Sequence, residues 1–354
     1  MPIDRVAWRN VHFYDASTGA TLGGFYQKGS LTEAALVWIL GNVLLVVEDR
    51  WTVKFRASGR TITPSSNAVV PGDYDIYSKG TIQVSNEAWF ARLISHAVSG
   101  REDAFRDGVR ARDGKCVISG EVNEGARWGV WAGFQAAHVF PLEHENLWIQ
   151  FNYGRWITNM DGVVGSSKIN SLQNGLLMSE NLHTRFDQYL FSVNPDDGHK
   201  VITFMPNNWG IDGRILDPIC RNPSNPDRVS DEVLRWHFRQ CVLANMRGAG
   251  EPVFESDFPG GTDMMATLRT EPYGKERFEM ELASRLRFMA GEGEVSSKSN
   301  LLFKANFKIS RAEQTERRWI NILHDDELGH GVYLANRSGW LLSFSICSTN
   351  TPKG

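Results

Sequence analysis

Three polar residues at the junctions of two short strands and a helix constrain the fold more than any other feature of the chain. His138 ends an apolar, strand-like run, and Asn174 immediately precedes a second such run. The second run leads directly into a helical pattern that carries His183. Asp187 lies four residues after His183, so both side chains project from the same helix face. The order strand, strand, helix predicts an α+β module with polar groups at its junctions.

Four phrases in this region occur together and in register. In chain order they are Ala-Ala-His at 136–138, Asn-Gly-Leu-Leu at 174–177, Leu-His-x-x-Phe-Asp at 182–187 and Phe-Ser-Val-Asn-Pro-Asp-Asp at 191–197. This pattern resembles the HNH endonuclease family, and in particular a fungal-type group of HNH proteins. The resemblance implies a ββα-metal module, in which two strands and a helix surround a metal ion.

The resemblance also implies an activity, which is metal-assisted cleavage of phosphodiester bonds in nucleic acid, with DNA favoured. His138 is then the general base that takes a proton from the attacking water, and Asn174 orients the His138 imidazole or its loop. His183 is then a metal ligand, and Asp187 is a second candidate ligand because side chains four apart on a helix can converge on one ion. The implied cofactor is one divalent ion, either Mg²⁺ or Mn²⁺ with oxygen ligands or Zn²⁺ with more histidine.

One position departs from the family pattern. Many HNH nucleases place an acidic residue or a second histidine directly before the base, where it ligates the metal, but this chain has Ala137 there. The ligand set is therefore one short unless Asp187, His144, Asp161 or a backbone oxygen substitutes.

Each candidate residue also has a structural interpretation. His138 can be a core histidine, Asn174-Gly175 can be a simple turn, and His183 and Asp187 can lie on an ordinary helix face. For His144 the structural interpretation is favoured. It is also favoured for four tryptophans that could otherwise stack on nucleobases, namely Trp128, Trp131, Trp148 and Trp156.

The turn and helix signals divide the chain into five segments. Residues 1–86 alternate short β-prone runs with turns, which predicts a mostly antiparallel β domain. Residues 87–111 read as a connecting helix, 112–210 as the HNH module and 211–290 as a helical region. Residues 291–354 read as a linker and a tail of uncertain fold.

The charge balance argues against a strong non-specific nucleic-acid binder. The chain has 38 Lys and Arg against 41 Asp and Glu, a net charge of -3, and acidic residues also outnumber basic ones between Arg101 and Asp217. A protein that neutralises many phosphates normally carries a basic stripe. Two other functions therefore stay open: an enzyme that uses the ββα scaffold on a small-molecule substrate, and a catalytically silent binding module.

Cysteine spacing and apolar run length indicate the compartment. The 4 cysteines are scattered and form no C-x-x-C pair, which favours a reducing, intracellular environment. The most apolar run, Val37 to Val47, is shorter than the ~18 residues that a membrane-spanning helix needs. We therefore expect a soluble protein of the cytoplasm or nucleus with no membrane partner, and nothing in the sequence fixes an oligomeric state.

Overall fold

The computed structural model describes residues 5–87, 89–90, 100–159 and 167–248, together with residue 266 and three short strands between 321 and 345. Helices and strands are mixed along residues 5–248, which confirms the α+β class. Two compact units are present, Met1–Glu281 and Leu282–Gly354. Among the helices of the described residues, none combines the length and the apolar character needed to cross a membrane.

Seven short strands and one α-helix, which continues into a π-helical turn at Leu40–Leu44, occupy residues 11–84. They are β1 Val11–Asp15, β2 Thr21–Phe25, α1 Glu33–Ile39, β3 Leu45–Val47, β4 Trp51–Phe55, β5 Thr61–Ile62, β6 Gly72–Ser78 and β7 Ile82–Val84. Five strands form a sheet in the order β2-β1-β6-β4-β5, and β3 pairs with β7. All of these pairings are antiparallel except that between β1 and β6, which agrees with the expected mostly antiparallel region.

The N-terminal sheet buries one face because apolar residues alternate along its strands. Val11 and Phe13 of β1 are buried, while His12 and Tyr14, which alternate with them along the strand, are partly exposed. Leu36 and Ile39 of helix α1 belong to the same apolar core as Val11 and Phe13. The Thr32 hydroxyl caps the first turn of this helix by accepting a hydrogen bond from the Ala35 N–H.

The central part of the chain contains a hairpin whose long connection includes a short helix, with a further helix before it and another after it, and then a second hairpin. The elements are α2 Gly100–Asp113, β8 Phe134–His138, α3 Glu145–Gln150, β9 Gly175–Ser179, α4 Glu180–Asp187, β10 Phe191–Asn194 and β11 Lys200–Thr203. Strands β8 and β9 pair antiparallel, with Phe134 opposite Ser179 and His138 opposite Gly175. Strands β10 and β11 form the second antiparallel hairpin.

Helix α5, Asp231–Met246, packs against both of these regions. Phe238 and Met246 belong to the core of the N-terminal sheet, whereas Val233 and Leu234 belong to the core around β8 and β9. The Arg9 guanidinium donates hydrogen bonds to the carbonyl oxygens of residues 245, 247 and 248, which ties the N-terminal region to the end of α5. Residues predicted as separate segments therefore share apolar contacts through one helix.

The C-terminal unit contains an antiparallel three-stranded sheet. Its strands are β12 Asn321–Leu323, β13 Gly331–Ala335 and β14 Leu341–Ser345. The predicted linker that begins at residue 291 lies outside the described residues.

Candidate active site

Asn174 fixes the backbone that follows His138. Its side-chain oxygen accepts a hydrogen bond from the Phe140 N–H at 2.8 Å. Its amide group donates to the carbonyl oxygens of Phe140 at 3.0 Å and Ile169 at 2.9 Å. Its own backbone carbonyl accepts from the Val139 N–H at 2.8 Å. Since Asn174 is fully buried, this amide holds the loop after β8 rather than the imidazole itself.

The imidazole of His138 is held by two other residues. The ring stacks on the Phe105 ring of α2, with centroids 3.8 Å apart and planes 8° apart. His138 Nε2 lies 2.9 Å from the side-chain oxygen of Asn170. Because a carbonyl oxygen only accepts hydrogen bonds, this geometry places the proton of a neutral ring on Nε2 and its lone pair on Nδ1. No sequence pattern distinguished Asn170 from the other turn-forming residues of its loop.

His183 on α4 is held from both sides. Its Nδ1 lies 2.6 Å from the side-chain oxygen of Gln135 on β8, and its Nε2 lies 3.3 Å from Asp187 Oδ2. Gln135 therefore accepts the Nδ1–H and turns the Nε2 lone pair toward Asp187. Two ligand atoms that share one ion, each about 2.1 Å from it, lie ~3.0–3.4 Å apart. The spacing of Nε2 and Oδ2 falls in this range.

The two histidines lie on opposite faces of the β8–β9 hairpin. A Cβ on Gly175 would meet Phe105 and Val109 of α2 at under 3.0 Å, so the face that carries His138 packs on α2. Side chains alternate along a strand, and Gln135 is an odd number of residues from His138. Gln135 and His183 therefore lie on the α4 face.

Two segments of the chain match known family models. Residues 116–194 match the family model described as HNH endonuclease. This chain carries an HNH endonuclease domain. Residues 8–83, which contain the N-terminal sheet, match a model described only as a domain of unknown function, DUF8573. Neither the curated proteins nor the solved structures contain a match to the chain. The fungal-type subgroup stays a prediction.

The remaining candidate ligands of the HNH domain are placed as follows. Ala137 is fully buried and pairs with Leu176 in the hairpin, so its side chain offers no ligand atom. The His144 ring contacts the Phe90 ring, with centroids 5.8 Å apart. Asp161 lies outside the described residues. Within the described part of the chain, no group of three or more His, Cys, Asp or Glu side chains is arranged to hold a metal ion.

A buried ion pair at the end of α2 holds the turn between Leu172 and Gly175. The Arg112 guanidinium donates to the carbonyl oxygens of Leu172, at 2.7 Å, and Gly175, at 2.7 Å, and pairs with Asp113 at 2.6 Å. Asp113 in turn accepts a hydrogen bond from the Leu177 N–H at 2.8 Å. The end of α2 thereby fixes both ends of the turn that carries Asn174.

The four tryptophans of the HNH domain occupy different environments. Trp148 is buried and donates its indole N–H to the Ser167 carbonyl at 2.7 Å. Trp156 stacks on Tyr153, with centroids 4.1 Å apart, and so anchors the loop after α3. Trp128 and Trp131 lie on the segment before β8, where Trp128 is exposed and Trp131 is partly buried.

An open surface depression of about 470 Å³ lies where β9 meets α4, and His138 is not among its lining residues. It is lined by Glu121, Gly133, Ser179, Glu180, Asn181 and Thr184. Polar side chains and two carboxylates thus form its wall, and no tryptophan contributes to it.

Proposed function

We propose that this protein is a metal-dependent endonuclease that hydrolyses phosphodiester bonds, with His138 as the general base. The observation that carries the proposal is the separate fixing of two imidazoles within the matched domain. His138 stacks on Phe105 and hydrogen-bonds to Asn170. His183 hydrogen-bonds to Gln135 and lies beside Asp187.

His138 supplies the base because imidazole accepts a proton near neutral pH. With the Nε2–H hydrogen-bonded to the Asn170 oxygen, the atom that accepts a proton is Nδ1, which takes the proton of the attacking water. Stacking on Phe105 fixes the plane of the ring, and Asn174 fixes the backbone that follows it. Asn170 and Phe105 are therefore positioning residues for the base.

His183 Nε2 and Asp187 Oδ2 would hold the divalent ion, which would supply electrostatic stabilisation of the charge on the phosphate and the leaving oxygen. Because His138 lies on the other face of the β8–β9 hairpin, a phosphate that both groups act on would have to lie at the edge of the two strands. Gln135 fixes the orientation of the ring by accepting a hydrogen bond from its Nδ1–H. A set of one imidazole and one carboxylate, completed by water and substrate phosphate, suits Mg²⁺ or Mn²⁺ better than Zn²⁺, which usually takes three or more protein ligands. Because Ala137 has no ligand atom, water and substrate would have to supply the other ligands of the ion.

The test is a cleavage assay on the purified full chain. Supercoiled plasmid and single-stranded DNA are incubated with Mg²⁺, Mn²⁺, Zn²⁺ or EDTA. We expect metal-dependent nicking that His138→Ala lowers by at least about 100-fold, because general base catalysis contributes on this scale. His12→Ala is the matched control, since His12 lies on β1 outside the HNH domain. Equal cleavage by wild type and His138→Ala, or none by either, would contradict the proposal.

The same assay separates a second candidate, an enzyme that acts on a small molecule. This alternative is favoured by the excess of acidic residues between Arg101 and Asp217. This alternative would be favoured if no nucleic acid were cleaved with any metal and the protein showed saturable binding of a small anion or nucleoside. Absence of both would favour the catalytically silent binding module.

A further inference from the structure

The segment from Val122 to Trp131, called here the tryptophan loop, presents an apolar tip. Trp128 is 66% exposed, Val122 is 64% exposed and Val130 is 54% exposed. Trp128 is the most exposed large apolar side chain in the described part of the chain. Exposed clusters of this kind commonly mark binding surfaces.

The tip is held rigidly by one buried side chain. The Asn123 amide donates to the Val130 carbonyl at 2.9 Å, and its oxygen accepts from the Gly125 N–H at 3.0 Å. The Val130 N–H also donates to the Gly125 carbonyl at 3.1 Å. Gly129 adopts a left-handed conformation, with φ 74°, that closes the turn after Trp128. Because the loop is already ordered, little conformational entropy is lost when a ligand contacts Trp128.

An arginine lies over each of the two tryptophans. Arg127 Cζ is 3.7 Å from the centre of the Trp128 ring, and Arg110 Cζ of α2 is 5.0 Å from that of Trp131. Among the described residues, no carboxylate forms an ion pair with Arg127. Arg110 lies 3.7 Å from Asp107, and its Nε finds no hydrogen-bond acceptor among the described residues. Burial lowers the pKa of Arg110, so an added anion would stabilise its charge.

The loop leads directly into the strand that carries the base. Strand β8, Phe134–His138, follows the loop and spans about 13 Å at ~3.3 Å per residue. Arg110 also lies on the same helix as Phe105, which stacks on His138, at an axial separation of about 7.5 Å. One extended nucleic-acid strand can therefore reach from the tryptophan loop to His138.

We propose that the tryptophan loop binds unpaired nucleobases of single-stranded nucleic acid, with Trp128 as the stacking surface and Arg127 and Arg110 facing the phosphates. This inference rests on the proposed function, which places a nucleic acid at His138.

Single strands fit this surface better than duplexes for two reasons. The faces of duplex bases are covered by their neighbours, whereas an unpaired base can stack on an indole. The acidic balance between Arg101 and Asp217 also leaves little basic surface for a duplex backbone, so stacking must supply much of the affinity.

The test measures binding without cleavage. The full chain in EDTA is titrated with a labelled oligothymidylate, its RNA equivalent and a duplex of the same length, and binding is followed by fluorescence anisotropy. We expect Trp128→Ala to weaken single-strand binding by about fivefold or more and Trp128→Phe to retain most of it. Arg127→Gln should weaken it about twofold to threefold. Trp38→Ala is the matched control, since Trp38 is 40% exposed on α1 and should bind like wild type.

The outcomes separate this inference from the proposed function. Weaker single-strand binding by Trp128→Ala with no cleavage in any metal would leave the loop assignment standing and remove the nuclease. If Trp128→Ala binds single strands like wild type and cleavage is observed, the nuclease proposal stands and the loop assignment is lost. Equal losses in Trp128→Ala and Trp38→Ala, a preference for duplex, or binding of anionic lipid vesicles in place of oligonucleotides would each overturn the loop assignment. If Trp128→Ala does not fold, Trp128→Phe and Arg127→Gln decide the same question.

Discussion

Two His–Asp pairs in the described chain look alike in composition and differ in geometry. His199 Nε2 lies 2.8 Å from Asp231 Oδ1, which is a direct hydrogen bond between residues 32 apart in sequence. His183 Nε2 lies 3.3 Å from Asp187 Oδ2, one helical turn away. The hydrogen bond from His199 holds the pKa of Asp231 below its ordinary value. The His199 pair therefore resembles an ordinary stabilising ion pair.

The other ring nitrogen distinguishes the His183 pair. Gln135 accepts a hydrogen bond from His183 Nδ1 at 2.6 Å, and no side-chain amide of the described residues contacts His199. The Gln135 amide fixes the tautomer of His183, so the lone pair is on Nε2, where a metal ion could bind. Metal-binding histidines commonly donate their other ring N–H to a supporting group in this way. The support around the imidazole, rather than the presence of a carboxylate, is what separates a candidate metal site from a surface ion pair.

Replacing each histidine in turn gives the largest expected contrast. His183→Ala should lower metal-dependent cleavage by at least about 100-fold, because it removes a ligand of the proposed ion. It should also weaken Mn²⁺ binding, measured by calorimetry on the full chain. His199→Ala is the matched variant and should leave both properties unchanged while lowering stability by up to about 1 kcal/mol. Unchanged Mn²⁺ binding by His183→Ala would remove His183 from the ligand set.

Removing the amide that supports His183 should have an intermediate effect. Gln135→Leu keeps most of the side-chain volume but leaves the Nδ1–H without its acceptor. We expect Mn²⁺ affinity to fall by about 10-fold, the lower end of what such supporting contacts contribute. Gln150→Leu on α3 is the control, since Gln150 is exposed. If the two variants bind Mn²⁺ equally, the support that Gln135 gives to His183 has no role in metal binding.

The sequence predicted those secondary-structure elements of the site that depend on residues close together in the sequence. The strand after Asn174, the helix that carries His183 and a helix within residues 211–290 occur where their patterns placed them. Each depends on local signals such as an apolar run or the spacing of a helix face.

The partners of the two histidines were not predictable in this way. Asn170 is 32 residues from His138, and Gln135 is 48 residues from His183. Both contacts exist only because β8, β9 and α4 pack together, and neither amide stands out from other Asn and Gln residues in the sequence. The same holds for α5, whose apolar residues gave no sign that they would divide between two cores.

Acid titration gives the smallest expected difference between the two His–Asp pairs. It tests whether the His199–Asp231 pair stabilises the fold. The native state stabilises the Asp231 carboxylate, so this contribution is complete above the ordinary pKa of 3.8 and is lost as the pH falls through the lowered native value. Asp231→Asn should therefore lower stability by about 0.5–1 kcal/mol at pH 7, since the pair is partly exposed. Denaturant unfolding below pH 3.8 should show this difference shrinking. Asp49→Asn, at an exposed site, is the control. A difference between wild type and Asp231→Asn that stays constant down to the lowest pH would mean that the carboxylate charge contributes nothing to the His199 pair.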